Sequence, residues 1–423
     1  MENNTGGKKD SASATQDMNR AVQLNPHDPK TWWMAYAAQR PAWIPIMAPM
    51  AEHAQFLTSI PARQFYADAK TNVHTLAALA AYYGFDNAMG VGDTYNYEAE
   101  AMGQKMIYSE NAMPTVDSRD PLIKKPEDLI KIKVPDWLNA GRIRSVLDLI
   151  RLNAEMGVPG GKFCAPFSLA VNIRTYPLLI KDLRKNPEFA HDFFTFLVDE
   201  ILTSYLKVQK EHCAISAATA PDAWSAFPNL SPELAEKWVL PYAERLYNNC
   251  LGFGVRAVVA GSCDYCEERV EKFDKNILFK CFDIQKKLAF GMPMVLLGMG
   301  RWHEYPLEPV LEYLAQYKNN NIRAIVMAQI NARLLRDGPE DRIIDLVKRL
   351  IDIFGRDYNL TVIMSNVPAD TPPRHIHAAV SAVHTYGRLP LAENLDAVEF
   401  KIPERESFSE YIHKMSGGSG LVF

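Results

Sequence analysis

Cysteine is scarce in this sequence, with six in 423 residues: Cys164, Cys213, Cys250, Cys263, Cys266 and Cys281. Spread so thinly they cannot staple a chain of this length, so a disulfide scaffold is excluded and reduced thiols or metal ligands are expected. Long apolar runs are missing too. No stretch reaches the roughly 18 to 20 residues that a spanning helix needs. The opening MENNTGGKKDSASATQDMNR has no apolar signal core. A cytoplasmic protein with no membrane contact is therefore expected. Charge of one sign is also lacking: the net charge is -4, and no run of like charges offers attraction to nucleic acid or anionic lipid. Small-molecule or protein partners are expected instead. No GxGxxG or Walker loop opens a helical segment, which counts against a nucleotide-binding doubly wound sheet.

What the chain does have is an apolar fraction of 48%, enough for one large core. Residues 1–20 are polar and Gly/Ser-rich, a composition that does not offset the entropy of ordering, and read as a flexible lead. Residues 21–423 then carry one continuous globular pattern, without an internal repeat or a Pro/Ser linker, and read as a single domain. Short apolar runs alternate with stretches of helical period. The strand candidates are AWIPIMAP, KFCAPFSLAV, CAISAATA, VRAVVAGS, ILFKCFD, MPMVLLGMG, IRAIVMAQI and LTVIMSNV. About eight parallel β/α units predict a closed (β/α)8 TIM barrel, in which chemistry sits at the carboxyl ends of the strands.

The residues just beyond those runs are rich in acids and amides. VGDTYNYEAEAMG places Asp93, Glu98 and Glu100 after a small-residue strand; AATAPDAWSAF places Asp222 and Trp224; MAQIN offers Asn331; MSNVPADTP offers Asn366. The densest set follows AVVAGS: Cys263, Asp264, Cys266, Glu267 and Glu268, then Asp283 after ILFKCF, then Trp302, His303 and Glu304 after MVLLGMGR. Asp93, Glu98, Asp222 and Asn331 are the candidates for catalysis, and Trp224, Trp302 and Asn366 for holding a substrate. Each has a plainer alternative. Glu268 suits a solvated helix start, Asp283 a helix cap, Trp224 ordinary core, and Cys263 with Cys266 two reduced thiols.

Several blocks in order resemble the uroporphyrinogen decarboxylase superfamily, which includes corrinoid-dependent methyltransferases. They are GDTYNYEAEAMGQKM, PLIKKPEDLIKIKVPD, KFCAPFSLAVNIRTYPLLIKDLRKNPEFAHDFF, PDAWSAFPNLSPELAEKWVLPYAERL and MSNVPADTPPRHIHAAVSAV. The resemblance implies a TIM barrel. It points away from decarboxylation of a porphyrinogen, because RPAWIPIMAPMAEH keeps only Arg40 where that branch carries substrate-binding arginines. The methyltransferase branch implies zinc in this chain and a cobalamin on a separate corrinoid protein, and leaves open a homodimer. Its thiol-methylating members hold zinc through His-x-Cys and a distant Cys. Here Gly261 stands in place of the His, and Ser365 and Asn366 in place of the closing Cys, so Cys263 is only a rival ligand.

Ether-cleaving relatives in anaerobic O-demethylase systems use two Glu with 14 residues between, then a His after 20 more. Here 14 residues separate Glu268 from Asp283, and 19 separate Asp283 from His303. The expectation is a zinc site of Glu268, Asp283 and His303, with zinc acting as a Lewis acid on an aromatic methyl ether. A thiol or methylamine donor, or a metal-free lyase on the same fold, are the alternatives.

Overall fold

The computed structural model describes residues 23–87, 92–93, 95–298 and 300–418. The expected lead over residues 1–20 lies outside them, as do residues 88–91 of the small-residue run before Asp93. Seven parallel barrel strands are described: β1 Ile46–Met47, β2 Gly161–Lys162, β3 Ala217–Asp222, β4 Arg256–Ser262, β5 Met294–Leu297, β6 Ile325–Ile330 and β7 Asn359–Met364. Hydrogen bonding joins them in two runs, β1-β7-β6-β5 and β2-β3-β4. The last strand pairs with the first, Ile46 with Val362 and Met47 with Ile363. An open doubly wound sheet leaves its outer strands unpaired, whereas this closure is the mark of a TIM barrel.

Burial alternates along each strand and tells its two faces apart. Ala218 and Ala220, Ala257 and Val259, and Val326, Ala328 and Ile330 are buried and belong to apolar clusters shared with the surrounding helices. The intervening residues keep solvent-accessible surface; Thr219 is exposed although it sits mid-strand in the central member of its sheet. Glycine confirms the orientation. A Cβ at Gly161 would strike Ile215 Cδ1 at 2.5 Å and Gln209 Oε1 at 2.6 Å, both on the helical side, so Lys162 turns inward. The apolar residues on the outer face of the strands pack against the surrounding helices.

One expected strand is a helix. ILFKCFD falls within Lys275–Leu288, whose first turn is capped by Asp274 accepting from Asn276 N and Ile277 N. Its buried residues Leu278, Cys281, Phe282 and Gln285 recur at helical spacing. KFCAPFSLAV also divides. Its strand ends at Lys162, and Pro166, at the first position of the helix Pro166–Arg174, starts the next element. Among the described residues no helix is long and apolar enough to cross a membrane.

Candidate active site

Four carboxyls gather beneath the carboxyl ends of the strands, all buried: Asp93, Glu98, Asp222 and Asp264. Asp222 is the last residue of β3. Ser168 Oγ donates to its Oδ1 at 2.5 Å, while its Oδ2 is buried with no hydrogen-bond partner. Burial pushes this carboxyl up to about 7, against hydrogen bonds from Ser168 and Ser225 that favour the anion. Glu98 lies on the short helix Tyr97–Ala101 and accepts from Cys164 N at 2.7 Å. Burial pushes it up to about 8. Asp264 accepts from Gln285 Nε2 at 3.1 Å and is likewise pushed by burial to about 7. The Cys164 thiol is raised first by burial and then by the negative charges of Glu98, Asp222 and Asp93, which sets these groups in one neighbourhood. Such a cluster holds protons at neutral pH, because several carboxylates cannot share a low-dielectric site fully ionised.

Asp93 differs from the other three because it has a cation. Arg142 donates from Nη2 to Asp93 Oδ2 at 2.8 Å and from Nε to Glu100 Oε2 at 2.7 Å. The guanidinium stacks over the Tyr97 ring at 4.7 Å. Burial opposes the charge on Arg142, but Asp93, Tyr97 and Glu100 outweigh it and hold the guanidinium ionised. This knot braces the loop that presents Glu98, and Arg142 carries no motif that would have singled it out in the sequence.

The predicted zinc set does not assemble. Asp283 lies in the outer helical layer, where Tyr313 OH donates to its Oδ1 at 2.8 Å, and it lines a groove with Glu233, Glu236 and Lys280. Its expected place at a strand end depended on ILFKCF being a strand. Glu268 and His303 do share a cleft of about 210 Å3 with Asn331 and Arg333, but His303 Nε2 lies 3.1 Å from Glu304 Oε1. Burial lowers the His303 pKa, against the pull of Glu304. Among the described residues no three His, Cys, Asp or Glu side chains lie close enough to hold a metal. Cys263, the rival ligand, is buried, with its Sγ 3.7 Å from Ser225 Oγ and its thiol raised by burial. Among the described residues Glu268, Asp283 and His303 do not fit a zinc ion together.

The remaining candidates separate cleanly. Trp302 is a core residue, 1% exposed, with its Nε1 donating to Gly298 O at 2.9 Å; it cannot touch a substrate. Trp224 is the opposite, 38% exposed just past Asp222 and stacked on Tyr176 at 5.4 Å. Asn331 caps the helix Ala332–Asp337 by accepting from Arg333 N and Leu334 N, so its geometry is that of a cap. Asn366 is exposed beyond the end of β7. Arg40 sits at the other end of the barrel. It is ion-paired with Asp86, whose Oδ2 accepts from Ile46 N at the start of β1.

A methyltransferase from Methanosarcina mazei shares the fold, with a TM-score of 0.60 and 16% identity over 84% of this chain and 98% of that one. No curated protein matches the sequence. The family model described as Uroporphyrinogen decarboxylase (URO-D) matches residues 34–386, most of the chain and all seven described barrel strands. The chain belongs to the uroporphyrinogen decarboxylase family.

Proposed function

We propose that this chain is a methyltransferase that takes a methyl group from a small methylated donor, an aromatic methyl ether, and passes it to the cobalt of a corrinoid on a separate protein. The observation that carries this reading is the character of the barrel mouth, where buried carboxyls hold protons and the arginine of the N-terminal segment is absent. A porphyrinogen with many carboxylates needs cations to pair with, and the buried acids Glu98 and Asp222 supply none. An ether needs the reverse. Its oxygen leaves with the electron pair of the broken carbon–oxygen bond, and a proton delivered at that moment turns a poor leaving group into a neutral phenol. The shared fold with a methyltransferase from Methanosarcina mazei supports this branch of the family.

A reduced corrinoid on the partner supplies the nucleophile that accepts the methyl carbon. The chain's own residues do the rest. Asp222 gives its Oδ2 proton to the departing oxygen, held in orientation by Ser168 at Oδ1. The resulting carboxylate regains a proton from solvent. Glu98 stays protonated through neutrality and keeps the neighbourhood uncharged. Trp224, stacked on Tyr176, offers an aromatic face at the mouth for the donor ring.

The test is spectroscopic. Purified protein is mixed with free cob(I)alamin and, separately, aromatic methyl ethers, methylamines and methyl thioethers. The expected result is ether-dependent loss of cob(I)alamin absorbance with one phenol formed per methyl group transferred. Release of carbon dioxide from uroporphyrinogen, with no methyl transfer from any donor, would contradict it and favour a lyase.

A further inference from the structure

β4 ends irregularly. Its pairing with β3 keeps register up to Ala220 and Val259; then Pro221 alone on β3 stands opposite Ala260 and Gly261 on β4, before Asp222 pairs with Ser262. Bulges of this kind re-aim a side chain and occur beside active sites. Gly261 and Cys263, on either side of Ser262, both lie in the left-handed region, with φ of 65° and 56°. That conformation costs energy for Cys263, and such outliers gather at functional sites. Ser225 locks the two strand ends together: its Oγ donates to Asp222 O at 2.8 Å and accepts from Cys263 N at 3.1 Å. Ser262 is thereby held beside Asp222, on the same face of the sheet. What the bulge presents is a hydroxyl with nothing to bind. Ser262 is 1% exposed, and its Oγ, like Asp222 Oδ2, is buried without a hydrogen-bond partner, so the two do not bond each other. A buried polar atom left unpaired is destabilising, and two of them on adjacent strand ends point to a third group shared between them.

We propose that Ser262 Oγ is a second hydrogen-bond donor to the departing oxygen, beside Asp222 Oδ2, and that the pair selects donors whose methyl group sits on oxygen. The inference rests on the methyltransferase reading and deepens its choice of an ether. Spacing supports it. Adjacent strands stand about 4.8 Å apart, and two donors each about 2.8 Å from one oxygen are separated by nearly as much when they approach its two lone pairs. An ether oxygen has two lone pairs and no hydrogen of its own, so it accepts from both groups. A tertiary amine has one lone pair, a methylammonium has none, and a thioether sulfur accepts only weakly. As the carbon–oxygen bond breaks and its electron pair goes to oxygen, Asp222 transfers its proton there. Ser262 keeps its own proton and holds the hydrogen bond through the step.

Calorimetric binding of phenol and of toluene, its isostere without an oxygen, tests the contact without any methyl transfer. Wild-type protein should prefer phenol. Ser262→Ala should bind phenol roughly three- to tenfold more weakly, the usual worth of one neutral hydrogen bond, with toluene binding unchanged. Thermal unfolding separates this contact from packing: the variant loses an unpaired buried hydroxyl and should melt at or above wild type. A Ser262→Ala protein that binds phenol as tightly as wild type, or that loses phenol and toluene affinity alike, overturns the assignment. Either result alongside ether-dependent methyl transfer would remove Ser262 while leaving the activity in place, whereas absence of transfer from every donor would remove both.

Discussion

Asp222→Asn is expected to lose roughly 100- to 1,000-fold in kcat/KM for methyl transfer, the usual worth of one general acid. The amide reproduces the shape of the neutral carboxyl and can still accept from Ser168 Oγ, but it has no proton to give. The pH profile separates this role from a structural one. With the carboxyl pushed up to about 7, wild-type kcat/KM should hold steady at acid pH and fall as pH climbs through that value, and this limb should vanish in the variant. Stability should move the opposite way. A group whose pKa is raised on folding contributes stability below its unfolded value and loses it as pH rises through its folded one. Asp222→Asn should therefore match wild type near pH 3.8, the ordinary carboxyl value, and be the more stable protein above pH 7. A variant that keeps the wild-type alkaline limb and is less stable than wild type throughout would mark Asp222 as a packing residue.

Arg142→Met has the largest expected effect on stability, a loss of about 3–5 kcal/mol at neutral pH by urea unfolding, as for other buried ion pairs that lose one partner. Arg142 is 10% exposed in its side chain, and its partners Asp93 and Glu100 are 0% and 15% exposed. Solvent screening is therefore slight. Removing the guanidinium leaves Asp93 buried without its cation, so that carboxyl should take up a proton and the penalty should shrink toward pH 5. The loop it braces also presents Glu98, so methyl transfer should fall with stability. A loss under about 1 kcal/mol would place the knot among ordinary surface pairs.

The barrel was legible from the sequence because its cause is periodic. Short apolar runs alternating with helical stretches leave few alternatives, and the polar residues after β3 and β4 fell where the alternation placed them. The error at ILFKCFD has a clear physical source. Five of its seven residues are apolar, which suits a buried strand, but Leu278, Cys281, Phe282 and Gln285 mark a helical face, and Asp274 caps it. With Asp283 moved to the outer layer, the zinc set lost its middle member. Trp302 failed for a related reason: it follows a strand, yet turns back onto Gly298. The acids Asp93, Glu98 and Asp222 could be found because charged residues after apolar runs stand out. What spacing could not reveal is their shared burial, which depends on Ser168, Cys164 and Arg142 arriving from distant segments. The end of β2 at Lys162 was hidden inside a run read as one strand, where only Pro166 hinted at a division.

The central claim is that the barrel mouth stores protons on buried carboxyls at neutral pH, and difference infrared titration of the unliganded protein tests it most directly. The account predicts a protonated-carboxyl C=O stretch at pH 6 that disappears as pH rises through about 7 to 8, the range set by Asp222 and Glu98. Part of that band should be missing in Asp222→Asn. If the stretch is already absent at pH 6 in folded protein, the carboxyls are ionised and proton donation to a leaving oxygen cannot be the chemistry of this site.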